Sequence, residues 1–342
     1  MRITIQKIAE LCGVSIMTVS RVFDPEKAGM VKESTRKKIL AVAKQYDYHP
    51  VMIGRSFTTG KTYKIGLILD TMSTDLSSPT FSRFVEAACV ELQMHDYTLV
   101  LLKVEDVRKN DGANVRELLE SKVADGYILG KNMVLESFWD TLKKTPVVLL
   151  SPREDGVPEF SQHVQICRPI LSVYRTIWQL IPADLRRSVA VVSPDCRFYP
   201  RESRAELIAS VAPEGAEVKK FFSPLQPGFL VDRANAALLA DEHFEELRKF
   251  KVIWGINDLY ALGVTDVFRR HGLVPGKDFH VVGFDNLEPA MRGVEPFLTT
   301  CDQRWEEVGR LAADTLLQLI AGEKIAEKEL TVEAEVVRRA SL

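Results

Sequence analysis

Residues 4–21 read TIQKIAELCGVSIMTVSR, and this stretch decides the architecture of the amino-terminal end. Thr4 is an N-cap residue type, and Ile5, Ile8 and Ala9 recur on one face of the helix that would follow it. Cys12-Gly13-Val14 interrupts that period, and Gly13 can take the positive φ that a tight interhelical turn needs. Ser15 can cap a second helix in which Val19, Val22 and Phe23 point inward. Ile16, Met17, Thr18, Ser20 and Arg21 are then left outside. Short hydroxyls and an arginine beside a helix N-terminus suit phosphate oxygens and base edges, so the pattern points to a helix-turn-helix. On spacing alone, any small three-helix domain fits as well.

The neighbouring residues tip that balance. A third helix is expected from about Glu33 to Tyr46, with Ile39, Leu40, Val42 and Ala43 apolar and Arg36, Lys37, Lys38 and Lys44 basic. Residues 1–64 hold twelve basic and five acidic side chains, a net of +7, whereas the whole chain is −2, leaving −9 for the rest. Positive charge confined to one end of a nearly neutral chain is the electrostatic footprint of a polyanion partner.

The stretches GVSIMTVSRV (13–22), TRKKI (35–39), YDYHP (46–50) and GRSFTTGKTYKIGLIL (54–69) resemble the head, hinge and first core strand of the LacI/GalR family of bacterial transcription regulators. INDLYALGVTDVFRRHGLVPGKDFHVVGFDN (256–286) and PFLTTCDQ (296–303) continue the likeness, so it covers nearly the whole chain in order. The resemblance implies an all-α helix-turn-helix head with a hinge helix, then a core of two doubly wound α/β lobes like those of periplasmic binding proteins. Expected boundaries are 1–49 for the head, 50–62 for hinge and linker, 63–167 with 290–325 for lobe one, and 168–289 with 326–342 for lobe two.

The core pattern stands beside that resemblance. Short apolar runs at 64–70, 97–103, 126–130, 147–151, 188–193, 252–257 and 280–285 read as buried strands. Helical stretches lie between them at Ser82–His95, Asn114–Lys122, Arg201–Val211, Val231–Phe250 and Asp258–His271. Such alternation means parallel sheets with right-handed crossovers, and the strands are too many for one small sheet. The family topology adds a returning helix at Trp305–Ala321 and a closing strand, LTVEAEVV (330–337). The expected place of work is the cytoplasm: MRITIQKIAEL lacks an apolar signal core, and no run approaches the roughly 20 apolar residues of a membrane span. The five cysteines and six histidines are scattered, so neither disulfides nor a metal site are expected, and no cofactor is called for.

At the DNA end, Ile16, Met17 and Arg21 occupy the positions with which family members read the major groove. Arg21 can fork onto a guanine, while Ile16 and Met17 would read thymine methyls by shape. Thr4, Ser15, Thr18, Ser20 and Thr35 would fix register on phosphates. In the hinge, Arg55 and Phe57 are expected DNA contacts, Phe57 standing where a leucine wedge is usual; Gly54 replaces a helix-favouring alanine, at a cost of roughly 1 kcal/mol. Lys32 replaces the usual capping hydroxyl, which would delay the third helix to Ser34. Thr59-Gly60-Lys61-Thr62 mimics the end of a phosphate-binding loop, but the position five residues before Gly60, where the motif requires glycine, is Arg55, and the nearest glycine, Gly54, is one position off.

At the other end, the family site maps onto Arg204, Asp258 and Asp285, where an arginine fork and two carboxylates can fix ligand hydroxyls. Asp258 is equally readable as a helix cap. Ser151 stands where many relatives have an aspartate, and Phe81, Phe222 and Trp254 fit either ring stacking or core packing. The loop 156–172 scarcely resembles the family. The expected protein is a homodimeric repressor of pseudo-palindromic operators, controlled by a small effector, a carbohydrate or a derivative of one. Rival readings are a regulator that has lost effector control, or a solute-binding protein without a DNA role, which leaves the basic head unexplained. An enzyme is not expected, since no nucleophile–base pair, metal set or GxGxxG is visible.

Overall fold

The computed structural model describes residues 3–24, 27–48, 59–70, 79–104, 112–130, 139–151, 163–195, 203–224, 233–287 and 296–342. The chain divides into two compact units, Met1–Tyr63 and Lys64–Leu342.

In the first unit, α1 (Ile5–Cys12), α2 (Ile16–Val22) and α3 (Glu33–Gln45) form a three-helix domain. Thr4 caps α1 by accepting from the Lys7 N–H at 3.3 Å, and Gly13 closes it at φ 67°. Ser15 caps α2 by accepting from the Thr18 N–H at 3.1 Å. Ile8, Ala9, Cys12, Val19, Val22 and Ile39 make the core, with Phe23 packed edge-on against Tyr48. Lys38 ties α3 to the turn by donating to the Cys12 carbonyl at 2.9 Å. Contrary to the expected delay, α3 begins at Glu33 behind an uncapped Lys32. The Glu33 carboxylate in the first turn favours the exposed N–H groups there.

The second unit contains two parallel sheets. Lobe one is a six-stranded sheet in the order β11-β5-β4-β3-β1-β2, built from β1 (Lys64–Asp70), β2 (Thr98–Val104), β3 (Gly126–Gly130), β4 (Val147–Ser151), β5 (His163–Cys167) and β11 (Glu329–Thr331). Its helices are α4 (Pro79–Gln93), α5 (Ala113–Glu120), α6 (Trp139–Leu142) and the returning α12 (Trp305–Ala321), which packs along α4. Among the described residues, lobe two has four strands in the order β7-β6-β8-β9: β6 (Val189–Pro194), β7 (Val218–Ser223), β8 (Val252–Gly255) and β9 (His280–Val282). Around it lie α7 (Ile170–Leu180), α8 (Arg204–Ser210), α9 (Arg233–Glu242), α10 (Phe244–Leu247) and α11 (Asp258–Arg270). A separate antiparallel pair joins β10 (Thr300–Asp302) to β12 (Glu335–Val337).

Three expectations need correcting. The poorly matching loop 156–172 contains β5, all five of whose residues are buried, and the first turn of α7. The expected helix 231–250 is interrupted at His243 into α9 and α10. The single closing strand is two: β11 extends the lobe-one sheet beside β5, and β12 pairs with β10. Segment 326–342 is therefore divided between the lobes instead of belonging to lobe two. Segment 290–325 is divided too, because Leu298 and Cys301 pack in the lobe-two core whereas α12 packs on lobe one.

Candidate DNA-reading face and effector site

On the head, the inward period of α2 is fixed by Val19 and Val22, and this leaves Ile16 and Met17 48% and 63% exposed. Arg21 is also exposed, and its Nη2 lies 3.6 Å from the Met17 sulfur one turn earlier. Two large apolar side chains exposed together beside a guanidinium form the kind of surface patch that a partner covers. Ser15 and Thr18 share a hydrogen bond of 2.9 Å at the start of the same helix. Thr4 and Ser15 are exposed, while Thr18, Ser20 and Thr35 are half-buried. The hinge segment 50–57, including Arg55 and Phe57, lies outside the described residues.

In the core, Arg204 is the first residue of α8, after the cap Ser203. A cation there opposes the helix dipole. Asp285 compensates: Nη1 donates to Oδ2 at 2.9 Å and Nη2 to Oδ1 at 3.1 Å, while Nη1 also reaches the Ile256 carbonyl at 2.9 Å. Burial alone would pull the Arg204 pKa down, but the Asp285 charge outweighs it and holds the guanidinium above its ordinary range. The fork also lies over the Phe284 ring, 4.7 Å from its centroid.

Asp285 is presented by a kinked strand end. Asp285 and Asn286 have φ of 93° and 47°, a backbone that L-residues adopt at a cost. Three successive N–H groups hold it: Asp285 to the Cys301 carbonyl at 2.8 Å, Asn286 to Thr300 Oγ1 at 3.2 Å, and Leu287 to Asp258 Oδ2 at 2.6 Å. Thr300 Oγ1 in turn donates to Asp258 Oδ1 at 2.5 Å. Asp258 is thus fully buried and engaged as a brace for the kink. It is not the helix cap either: Asn257 caps α11 by accepting from the Tyr260 N–H at 2.9 Å. Burial raises the Asp258 pKa to about 7, against the opposing pull of the Thr300 and Leu287 hydrogen bonds, with the Asp285 charge adding to the rise.

The remaining expected positions scatter. Trp254 is wholly buried among Tyr174 and Trp178 in the lobe-two core. Ser151 is buried at the end of β4, where its carbonyl accepts from the Arg168 N–H at 3.0 Å. Phe81 is half-buried on α4, and Phe222 is 41% exposed on the edge strand β7.

Two residues that sequence reasoning missed complete the cluster. Arg168, directly after β5, donates through Nη1 to Gln303 Oε1 at 3.0 Å. Gln303 Nε2 donates to Asp285 Oδ1. The Arg168 guanidinium stacks on Trp305, 3.9 Å from the ring centroid. Arg83 on α4 also crosses between lobes, donating to the Asn286 carbonyl at 3.1 Å. Gln303 closes a stretch that matched the family, so its position was visible although its role was not; Arg168 follows a strand that the sequence did not reveal.

The model of the lacI family of bacterial regulatory proteins matches residues 4–51, and that of the periplasmic binding protein-like domain matches residues 186–342. The HTH-type transcriptional repressor PurR of Vibrio cholerae is 27% identical over 341 residues, covering 98% of this chain and 97% of its own. The ribose operon repressor of Escherichia coli is 27% identical over 348 residues, covering 99% of each. Among solved structures, the lac repressor dimer bound to operator and an anti-inducer superimposes with a TM-score of 0.77 at 19% identity, over 100% of this chain and 99% of that one. The two models follow one another along the chain, so this protein carries a lacI-family DNA-binding head followed by a periplasmic binding protein-like core.

Proposed function

We propose that this protein is a sequence-specific transcription repressor that works in the cytoplasm as a homodimer on a pseudo-palindromic operator, under control of a small polar effector. Its relatives are repressors and not enzymes, and the chain acts by binding. The observation that carries the reading is α2: its inner face is sealed in the head core while Ile16, Met17 and Arg21 are presented to solvent together. Two such heads one helical turn apart would enter adjacent major grooves. The Arg204–Asp285 pair is the proposed anchor for the effector, a carbohydrate or a derivative of one. That effector must bind the DNA-competent and DNA-free arrangements with different affinity, otherwise it shifts neither.

A gel-shift titration with duplex from the protein's own promoter region tests this, comparing the native chain with Arg21→Ala. Loss of one guanine fork should remove about 1–3 kcal/mol of operator preference and leave salt-sensitive nonspecific binding intact. Equal loss on operator and random duplex would count against base reading by Arg21.

A further inference from the structure

The cluster at the lobe junction contains a buried guanidinium, Arg168, a half-buried one, Arg204, and the buried carboxylate of Asp285. Arg204 takes both oxygens of Asp285, and the third donor to that carboxylate is the neutral amide of Gln303. Arg168 is left with only a neutral hydrogen-bond acceptor, Gln303 Oε1, and the face of Trp305. It is 9% exposed, and its Nε has no hydrogen-bond partner. Among the described residues, no carboxylate pairs with it.

A buried cation without a counter-charge is expensive, and folded chains retain one mainly where something else supplies the charge. Burial and the neighbouring Arg204 charge pull the Arg168 pKa down to about 10, against the raising effect of Asp285. Position supports a ligand as the missing partner. Arg168 follows the carboxyl end of β5, Ser151 ends β4, and Asp285 lies beyond the carboxyl end of β9. Ligands of parallel α/β sheets bind outside those ends. A planar guanidinium with unused donors is suited to a carboxylate or phosphate.

We infer that the effector of this protein is an anion, a small carboxylate- or phosphate-bearing molecule whose charged group pairs with Arg168 while its polar body meets Arg204 and Asp285. This rests on the effector reading of the lobe junction given above. A neutral sugar or nucleobase leaves the buried charge unpaired, whereas an acidic or phosphorylated sugar neutralises it.

The test is calorimetric titration and thermal shift of the full chain with matched pairs: ribose against ribose 5-phosphate, glucose against glucuronate, and inorganic phosphate alone. At least one anionic member should bind at least tenfold more tightly than its neutral parent, with the preference weakening as salt rises. Arg168→Gln should abolish that preference, and Arg168→Lys, which keeps the charge but not the fork, should keep part of it. Without ligand, Arg168→Gln should melt at the same temperature as the native chain or higher, because it removes an uncompensated charge; a purely structural Arg168 would give a lower melting temperature. Neutral members binding as tightly as anionic ones, an anion preference surviving in Arg168→Gln, or no binding of any tested anion would overturn the proposal. Neutral binding that alters operator affinity would leave the effector reading standing while sinking the anion; failure of every ligand to bind or to alter operator affinity would sink both.

Discussion

Asp258 shows how one side chain can pass for a ligand contact when its work is internal. Its sequence position at the start of a helix allowed either a cap or an effector contact, and local pattern cannot choose between them because both place a carboxylate at a strand end. The tertiary contacts decide: Thr300, forty-two positions away, and the Leu287 N–H occupy both oxygens. Gly283 is matched to it, since a Cβ there would fall on Asp258 Oδ1. The raised pKa makes a testable statement about pH. A folded-state pKa of about 7 against an unfolded 3.8 means the folded core holds this proton more tightly. Its stabilising contribution is complete below pH 4 and is lost as pH rises towards 7, by up to ~1.4 kcal/mol per unit. Denaturant melts of the native chain and of Asp258→Asn at pH 5 and pH 7.5 check this. The native core should lose more stability than the variant over that interval, and parallel losses would refute the assignment.

Elements were legible where period and composition agreed. The strands 64–70, 126–130 and 147–151 appear with the boundaries expected from their short apolar runs, and the helix 305–321 with those that the family resemblance implied. β5 was hidden for the opposite reason: His163 and Gln165 sit inside a fully buried strand and break the apolar run that marks such strands. The kink at Asp285 was equally invisible, since it depends on residues from β10 that are adjacent only in the fold. In the head, by contrast, the turn between α1 and α2 was written locally. Gly13 at φ 67° has nothing within 4 Å of where a Cβ would sit, so Gly13→Ala meets no clash and suffers only the left-handed backbone. It should destabilise the head by about 1–2 kcal/mol, whereas Ser15→Ala should cost about 1 kcal/mol by losing a cap. Hydrogen exchange of the α1 and α2 amides measures both, and unchanged protection in either variant would remove the corresponding role.

For the whole molecule, charge asymmetry sets the physical chemistry of DNA binding. With +7 in residues 1–64 and −9 beyond, attraction to a duplex resides in one end of the chain. Binding to random duplex should weaken by a factor of about 10³ or more between 50 and 200 mM salt if the dimer makes six or more phosphate contacts. Salt titration by fluorescence anisotropy checks the slope, and a flat line would exclude the head as a phosphate-binding module. The fold class and the order of the parts were readable from sequence. The placement of the last residues was not, because three-residue strands leave almost no periodic signal.

That placement has a mechanical outcome. The backbone passes between the lobes near Arg168, near Gln303 and again near Val332, so three spans tether them side by side. The first and second are joined by the Arg168–Gln303 bond, the first and third by the Val332 N–H to the Cys167 carbonyl at 2.9 Å. A bundle of cross-linked tethers resists swinging apart but permits torsion about its own length. Torsion is therefore the relative lobe motion to expect, about a pivot built from the same arginine and glutamine that touch the Asp285 cluster.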